Sequence, residues 1–133
     1  METQVDRIFC AKADRDLYET FKNQSPFLKN RDNKDLFLFA FTYGVKHNCR
    51  EALPDKFGFI RLEYLNDYDW AILKIVILSI LPPIENVNDK KIIIEMAQEY
   101  AHGGIKYIID VIKKNKGIEF DTYFENELLN SLS

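Results

Sequence analysis

The chain has 133 residues, of which 47% are hydrophobic and 14% aromatic, and its formal net charge is −3. That length fits one domain with a core that needs no staples, and the aromatic content argues against a disordered chain. The negative charge argues against a domain that holds nucleic acid by bulk electrostatics.

The charge is uneven. Residues 1–61 hold 11 Lys+Arg and 9 Asp+Glu, whereas residues 62–133 hold 7 and 12. This allows a basic patch on the first half and an acidic, protein-facing second half. Cys10 and Cys49 can pair but need not. The start, METQVDRIF, lacks a basic segment followed by an apolar one, so a cytoplasmic chain with free thiols is expected. The apolar run from Trp70 to Leu81 is interrupted by Lys74 and is too short to span a bilayer.

In chain order, Val5 to Phe9 alternates apolar and polar residues, the pattern of a short strand. Asp14 reads as an N-cap, and Leu17, Tyr18 and Phe21 give a short amphipathic helix to about Lys22. Asn23-Gln24-Ser25-Pro26 ends it. Phe27-Leu28 is a brief apolar pair before a polar loop. Asp32 or Asn33 then caps a long helix from Lys34 to about Val45 that is apolar on nearly every face. Such a helix is either the central helix of the domain or part of an oligomer interface. It delivers the polar turn Lys46-His47-Asn48-Cys49-Arg50.

Pro54 to Gly58 breaks the chain, and residues 57–62 alternate as a second strand. Asn66 or Asp67 caps a helix striped by Trp70, Leu73, Ile77 and Ile80, which Pro82-Pro83 stops. The last long helix starts near Asn88 or Asp89. Its stripe of Met96, Tyr100, Gly103, Gly104, Tyr107 and Val111 stays in phase across the glycines, so the spacing predicts one helix. Two glycines cost about 2 kcal/mol of helix propensity. Close helix–helix approach, or approach to a partner's backbone or phosphate, offsets that cost. Lys113 to Gly117 ends the helix. The expected organisation is a helical domain with short strands over 1–117 and a tail over 118–133 with its own apolar set, suited to dock as a short helix. The fold class is mainly α: about four helices plus a short two- or three-stranded sheet.

Catalytic patterns are missing. His47, His102, Cys10 and Cys49 have no metal-ligand spacing, and neither a nucleophile elbow nor a phosphate loop is present. Asp67 and Asp69 read as capping and dipole charge, and Glu95 and Glu99 as a solvated helix face. No metal and no cofactor is expected. Binding chemistry remains: Lys34, Lys46, Arg50, Lys56 and Arg61 surround the apolar helix and enter the strand after it, with His47 and Asn48 as secondary contacts. Cations and a helix start are what a phosphate backbone needs, although the same cations also serve simply to keep an apolar helix soluble. Phe37, Phe41, Gly103 and Gly104 are the expected close-packing or interface residues.

Asp35 to Phe41 followed by Gly44, then Arg50-Glu51-Ala52-Leu53, a strand, Asp69-Trp70-Ala71-Ile72-Leu73, and Glu99-Tyr100-Ala101-His102-Gly103-Gly104-Ile105 resembles small proteins associated with the bacterial DNA phosphorothioation (Dnd) system. The layout is more distantly similar to the nicked-DNA-binding subunit of that system. The resemblance covers about residues 5–112, and His102 departs from it, standing where the family has Asn. It implies a cytoplasmic accessory protein of a DNA modification or anti-phage restriction system, binding DNA, a sister subunit or both; from the residues themselves, a non-enzymatic and self-associating domain is expected. A protein–protein adaptor without nucleic-acid contact is the alternative. A nuclease subunit using Asp67 and Asp69 is a third reading.

Overall fold

The computed structural model describes residues 6–24, 26–80 and 89–114. In chain order they form β1 (Arg7–Cys10), α1 (Asp14–Lys22), α2 (Pro26–Lys29), α3 (Asn33–Lys46), β2 (Phe57–Arg61), a 3-10 turn (Leu62–Tyr64), α4 (Asp67–Leu78) and α5 (Lys90–Lys114). The fold is mainly α with a two-stranded antiparallel sheet. The expected docking of residues 118–133 and the stop at Pro82-Pro83 fall outside the described residues.

The apolar helix α3 is the central one. Leu36, Phe37, Ala40 and Phe41 are each at most 1% exposed, so Phe37 and Phe41 pack the core rather than face an oligomer partner. Full burial of a leucine or phenylalanine side chain such as Leu36, Phe37 or Phe41 is worth roughly 1.5–3 kcal/mol. Asp32 caps the helix through the Asp35 N–H at 3.1 Å. Its C-terminus closes with two bonds: the Asn48 N–H donates to the Val45 carbonyl and the Cys49 N–H to the Gly44 carbonyl. That pairing is a Schellman motif, and its left-handed residue is Asn48, at φ 54°. Asn48 therefore serves the backbone. Asn48→Ala should lose about 1 kcal/mol while Asn48→Gly should lose nothing, as read by chemical denaturation.

α5 runs unbroken through Gly103 and Gly104 and crosses α3 at backbone contact. A Cβ on Gly44 would lie 2.9 Å from the Tyr100 carbonyl carbon, and one on Gly104 would lie 3.0 Å from the Ala40 carbonyl carbon and 3.0 Å from the Gly44 Cα. A Cβ on Gly103 would overlap the Cys49 carbonyl. The glycines thus admit two pieces of backbone, helix α3 and the turn that follows it.

Several expectations need correction. Asp14 is the first residue of α1, not its cap; Ala13 occupies the cap position without a side-chain bond. Asp14 is buried instead. Residues 26–29 form a helical turn where the sequence shows only an apolar pair. α4 ends at Leu78: the Ile80 N–H donates to the Ile77 carbonyl, three residues back, and the Ser79 Oγ donates to the Val76 carbonyl. Ile80 accordingly falls beyond the helix and is exposed. The buried face of α5 is wider than the expected stripe, taking in Ile93, Ile94, Ala97, Ala101, Ile105, Ile108 and Ile109, while Tyr107 lies toward the surface.

Candidate functional site

Five of the six candidate cationic and imidazole residues divide between the two ends of α3. Lys34 and Arg61 lie at its start, where they line a cleft of about 330 Å³ with Asp32, Asn33, Phe59, Ile60 and Tyr64. Lys46, His47 and Arg50 lie at its end, about 18 Å away along the axis. Lys56 sits apart: its ammonium is 6.0 Å above the Phe9 ring, and it lines a smaller hollow with Glu95, Gln98 and Glu99.

Most of these groups have partners within the chain. Asp69 accepts the Lys34 ammonium at 2.9 Å. The same carboxylate accepts the Asn66 N–H, while Asn66 accepts the Asp69 N–H, so Lys34 ties the start of α3 to the capping box of α4. The bond to Asp69 holds the Lys34 pKa above its ordinary value. Arg61 pairs with Glu63 at 2.8 Å, and Arg50 with Glu99 at 2.7 Å. The His47 ring stacks on Tyr107 at 4.5 Å and tilts against Tyr43 at 4.6 Å. Glu99, expected on a solvated face, has a structural partner, and Asp69 is committed to a cap and a lysine.

The chain also contains a polar constellation that its local patterns do not announce. His102, on α5, places Nδ1 2.6 Å from the Asp14 carboxylate on α1, and both side chains are almost wholly buried. With Asp14 ionised, Nδ1–H donates. Burial raises the Asp14 pKa, and the hydrogen bond from His102 opposes that rise. On its other side, His102 Nε2 lies 3.9 Å from Glu51, which Lys106 holds at 2.6 Å. The bond from Lys106 lowers the Glu51 pKa. One turn earlier on α5, Gln98 accepts the Phe9 N–H at 2.7 Å, at the irregularity where β1 shifts register against β2. Gln98 and His102, four residues apart, therefore fasten α5 to β1 and α1. Cys10 and Cys49 are free thiols. Burial, followed by the Asp14 carboxylate, pushes Cys10 up to about 12, which makes it an unreactive core residue.

Comparison with protein-family models, curated proteins and solved structures returns no match. Function must therefore be read from the surface. No group of His, Cys, Asp and Glu among the described residues is arranged to hold a metal, and no described helix is long and apolar enough to cross a membrane.

The surface feature that stands out is α4. Its inner face buries Leu73 and Ile77, with Trp70 half-buried beneath the Lys90 ammonium at 4.8 Å. Its outer face shows Tyr68 at 75%, Ile75 at 66% and Leu78 at 53% exposure, with exposed Ala71 between them. The sequence carries the signal, since Trp70 to Leu78 is apolar on all sides except Lys74. That pattern marked α3 as a central or interfacial helix; α4 shares it and lies at the edge.

Proposed function

We propose that this chain is a non-enzymatic adaptor that docks another polypeptide on the outer face of α4. The observation that carries this reading is the exposed row of Tyr68, Ala71, Ile75 and Leu78 on a helix whose opposite face is in the core. Monomers rarely leave a contiguous apolar row of this kind open to water. The polar groups with chemical potential support it from the other side. Asp14–His102, Glu51–Lys106, Arg50–Glu99 and Lys34–Asp69 are engaged with one another, each joining separate parts of the chain. The setting we propose, on the sequence resemblance alone, is an accessory subunit of a DNA modification or restriction complex of the Dnd type, with sister subunits as partners.

A second reading, contact with a DNA backbone, is favoured by the cleft that Lys34 and Arg61 share with Tyr64 beside the start of α3. A phosphate there must first displace Asp69 and Glu63. Electrophoretic mobility of duplex, nicked and single-stranded DNA at low salt separates the readings. The adaptor reading predicts no retarded band at micromolar protein. A band that weakens steeply with salt, and disappears when Lys34 and Arg61 are reversed to Glu, would establish the DNA reading in its place.

A further inference from the structure

Independently of the α4 face, we infer that the hollow between α5 and the loop joining α3 to β2 binds a small free α-amino acid. The hollow measures about 170 Å³ and is lined by Ala52, Leu53 and Lys56 of the loop and by Glu95, Gln98 and Glu99 of α5. At about 30 Å³ per water, that is room for about six non-hydrogen atoms. Drug-sized ligands need about 300 Å³ or more, so the occupant is smaller than these.

One wall carries a donor that the fold leaves unused. Gln98 is 5% exposed. Its Oε1 accepts the Phe9 N–H at 2.7 Å, and only the oxygen of the amide can accept, so the orientation of the amide is fixed. Nε2 therefore points away from Phe9, and no acceptor among the described residues meets it. No side-chain nitrogen or oxygen of the described residues is sealed from solvent without a partner, so Nε2 opens into the hollow. A donor this deep in the molecule is unfavourable unless the hollow supplies an acceptor.

Two charges of opposite sign stand at the same hollow. Lys56 has the Phe9 ring at 6.0 Å and no carboxylate partner among the described residues. Glu95 has no cation partner among them, and the two are not paired with each other. Glu99, by contrast, is held by Arg50 at 2.7 Å. Lys56 and Gln98 thus offer N–H donors to a carboxylate, and Glu95 offers a carboxylate to an ammonium. An α-amino acid carries both groups on one carbon. Alanine has the size that the hollow admits, and Ala52 and Leu53 give its methyl an apolar wall.

Amide NMR of the full chain titrated with L-alanine tests this. The side-chain NH₂ of Gln98 and the backbone N–H groups of Ala52 and Leu53 should shift saturably, with half-saturation on the order of 1 mM for so small a ligand. Propionate lacks the ammonium and ethylamine lacks the carboxylate, so each should bind at least about tenfold more weakly. Lys56→Ala and Glu95→Gln, both at exposed positions, should each weaken L-alanine about fivefold and leave the melting temperature unchanged. Gln98→Glu keeps an oxygen for the Phe9 N–H but replaces the donor by an acceptor, and should abolish binding. If that variant does not fold, Lys56→Ala and Glu95→Gln carry the test. Gln98 resonances that stay fixed up to about 20 mM L-alanine would overturn the inference and leave water as the occupant. Equal shifts with propionate would overturn it too, making the hollow an anion site, as would either exposed variant binding L-alanine like the unaltered chain.

Discussion

Gly104→Ala is expected to destabilise the domain by at least about 3 kcal/mol, lowering its melting temperature by about 10 °C. In an open helix the same change would stabilise by about 1 kcal/mol, because alanine is the better helix former. The sign of the effect is therefore decided by space. At Gly104 the added methyl meets the Ala40 carbonyl and the Gly44 Cα, both parts of helix α3 that no rotamer change can move aside. Gly44→Ala meets the reciprocal obstacle at Tyr100, and Gly103→Ala meets the carbonyl of Cys49. Because Gly44 and Gly104 share one contact, the Gly44→Ala/Gly104→Ala double variant should cost less than the sum of the singles. Melting curves that rise for Gly104→Ala would contradict the backbone-contact crossing.

His102→Leu is expected to cost about 3–5 kcal/mol, since it leaves the Asp14 carboxylate buried without its donor. Asp14→Ala should cost less, because it strands an N–H donor rather than a buried carboxylate. The double variant should recover part of the loss, giving a coupling of at least about 1 kcal/mol in a double-mutant cycle. The pH dependence has a definite sign. The folded pKa of Asp14 lies above its unfolded value, so the folded state takes up a proton first as pH falls. Ionisation of Asp14 thus lowers stability as pH rises from the unfolded value through the folded one. The penalty of His102→Leu should consequently shrink in acid, where the stranded carboxyl becomes neutral. Urea midpoints measured for both proteins between about pH 4 and pH 8 check this. A gap that widened in acid would mean that Asp14 is not the stranded group.

Much of the fold is legible in the sequence because it is signalled locally. Asp32 and Asn66 announce the starts of α3 and α4. The apolar phase of α5 carries across Gly103 and Gly104, and the glycines themselves point to close packing. What is not legible joins residues far apart in the chain. Asp14 and His102 are 88 positions apart, and Phe9 and Gln98 are 89 apart. A buried aspartate looks like a helix cap until the helix that supplies its histidine is in place. α2 is too short to show a period. The candidate site was harder still. Cations are easily counted, but whether Lys34, Arg50 and Arg61 face a ligand or the chain's own carboxylates depends on packing. The rule that an all-round apolar helix is central or interfacial held for α3 as a central helix. The same rule applied to α4 points to the outward face that the cation pattern had obscured.

On the proposed function, the outer face of α4 meets a partner and is no part of the domain's own core. Thermal unfolding of an Ile75→Asp variant tests it most directly, at a concentration too low for self-association. If the face is open, the midpoint stays within about 2 °C of the unaltered chain, as exposed substitutions do. A fall of about 10 °C or more would mean that Ile75 is packed by the chain itself, and would contradict the claim.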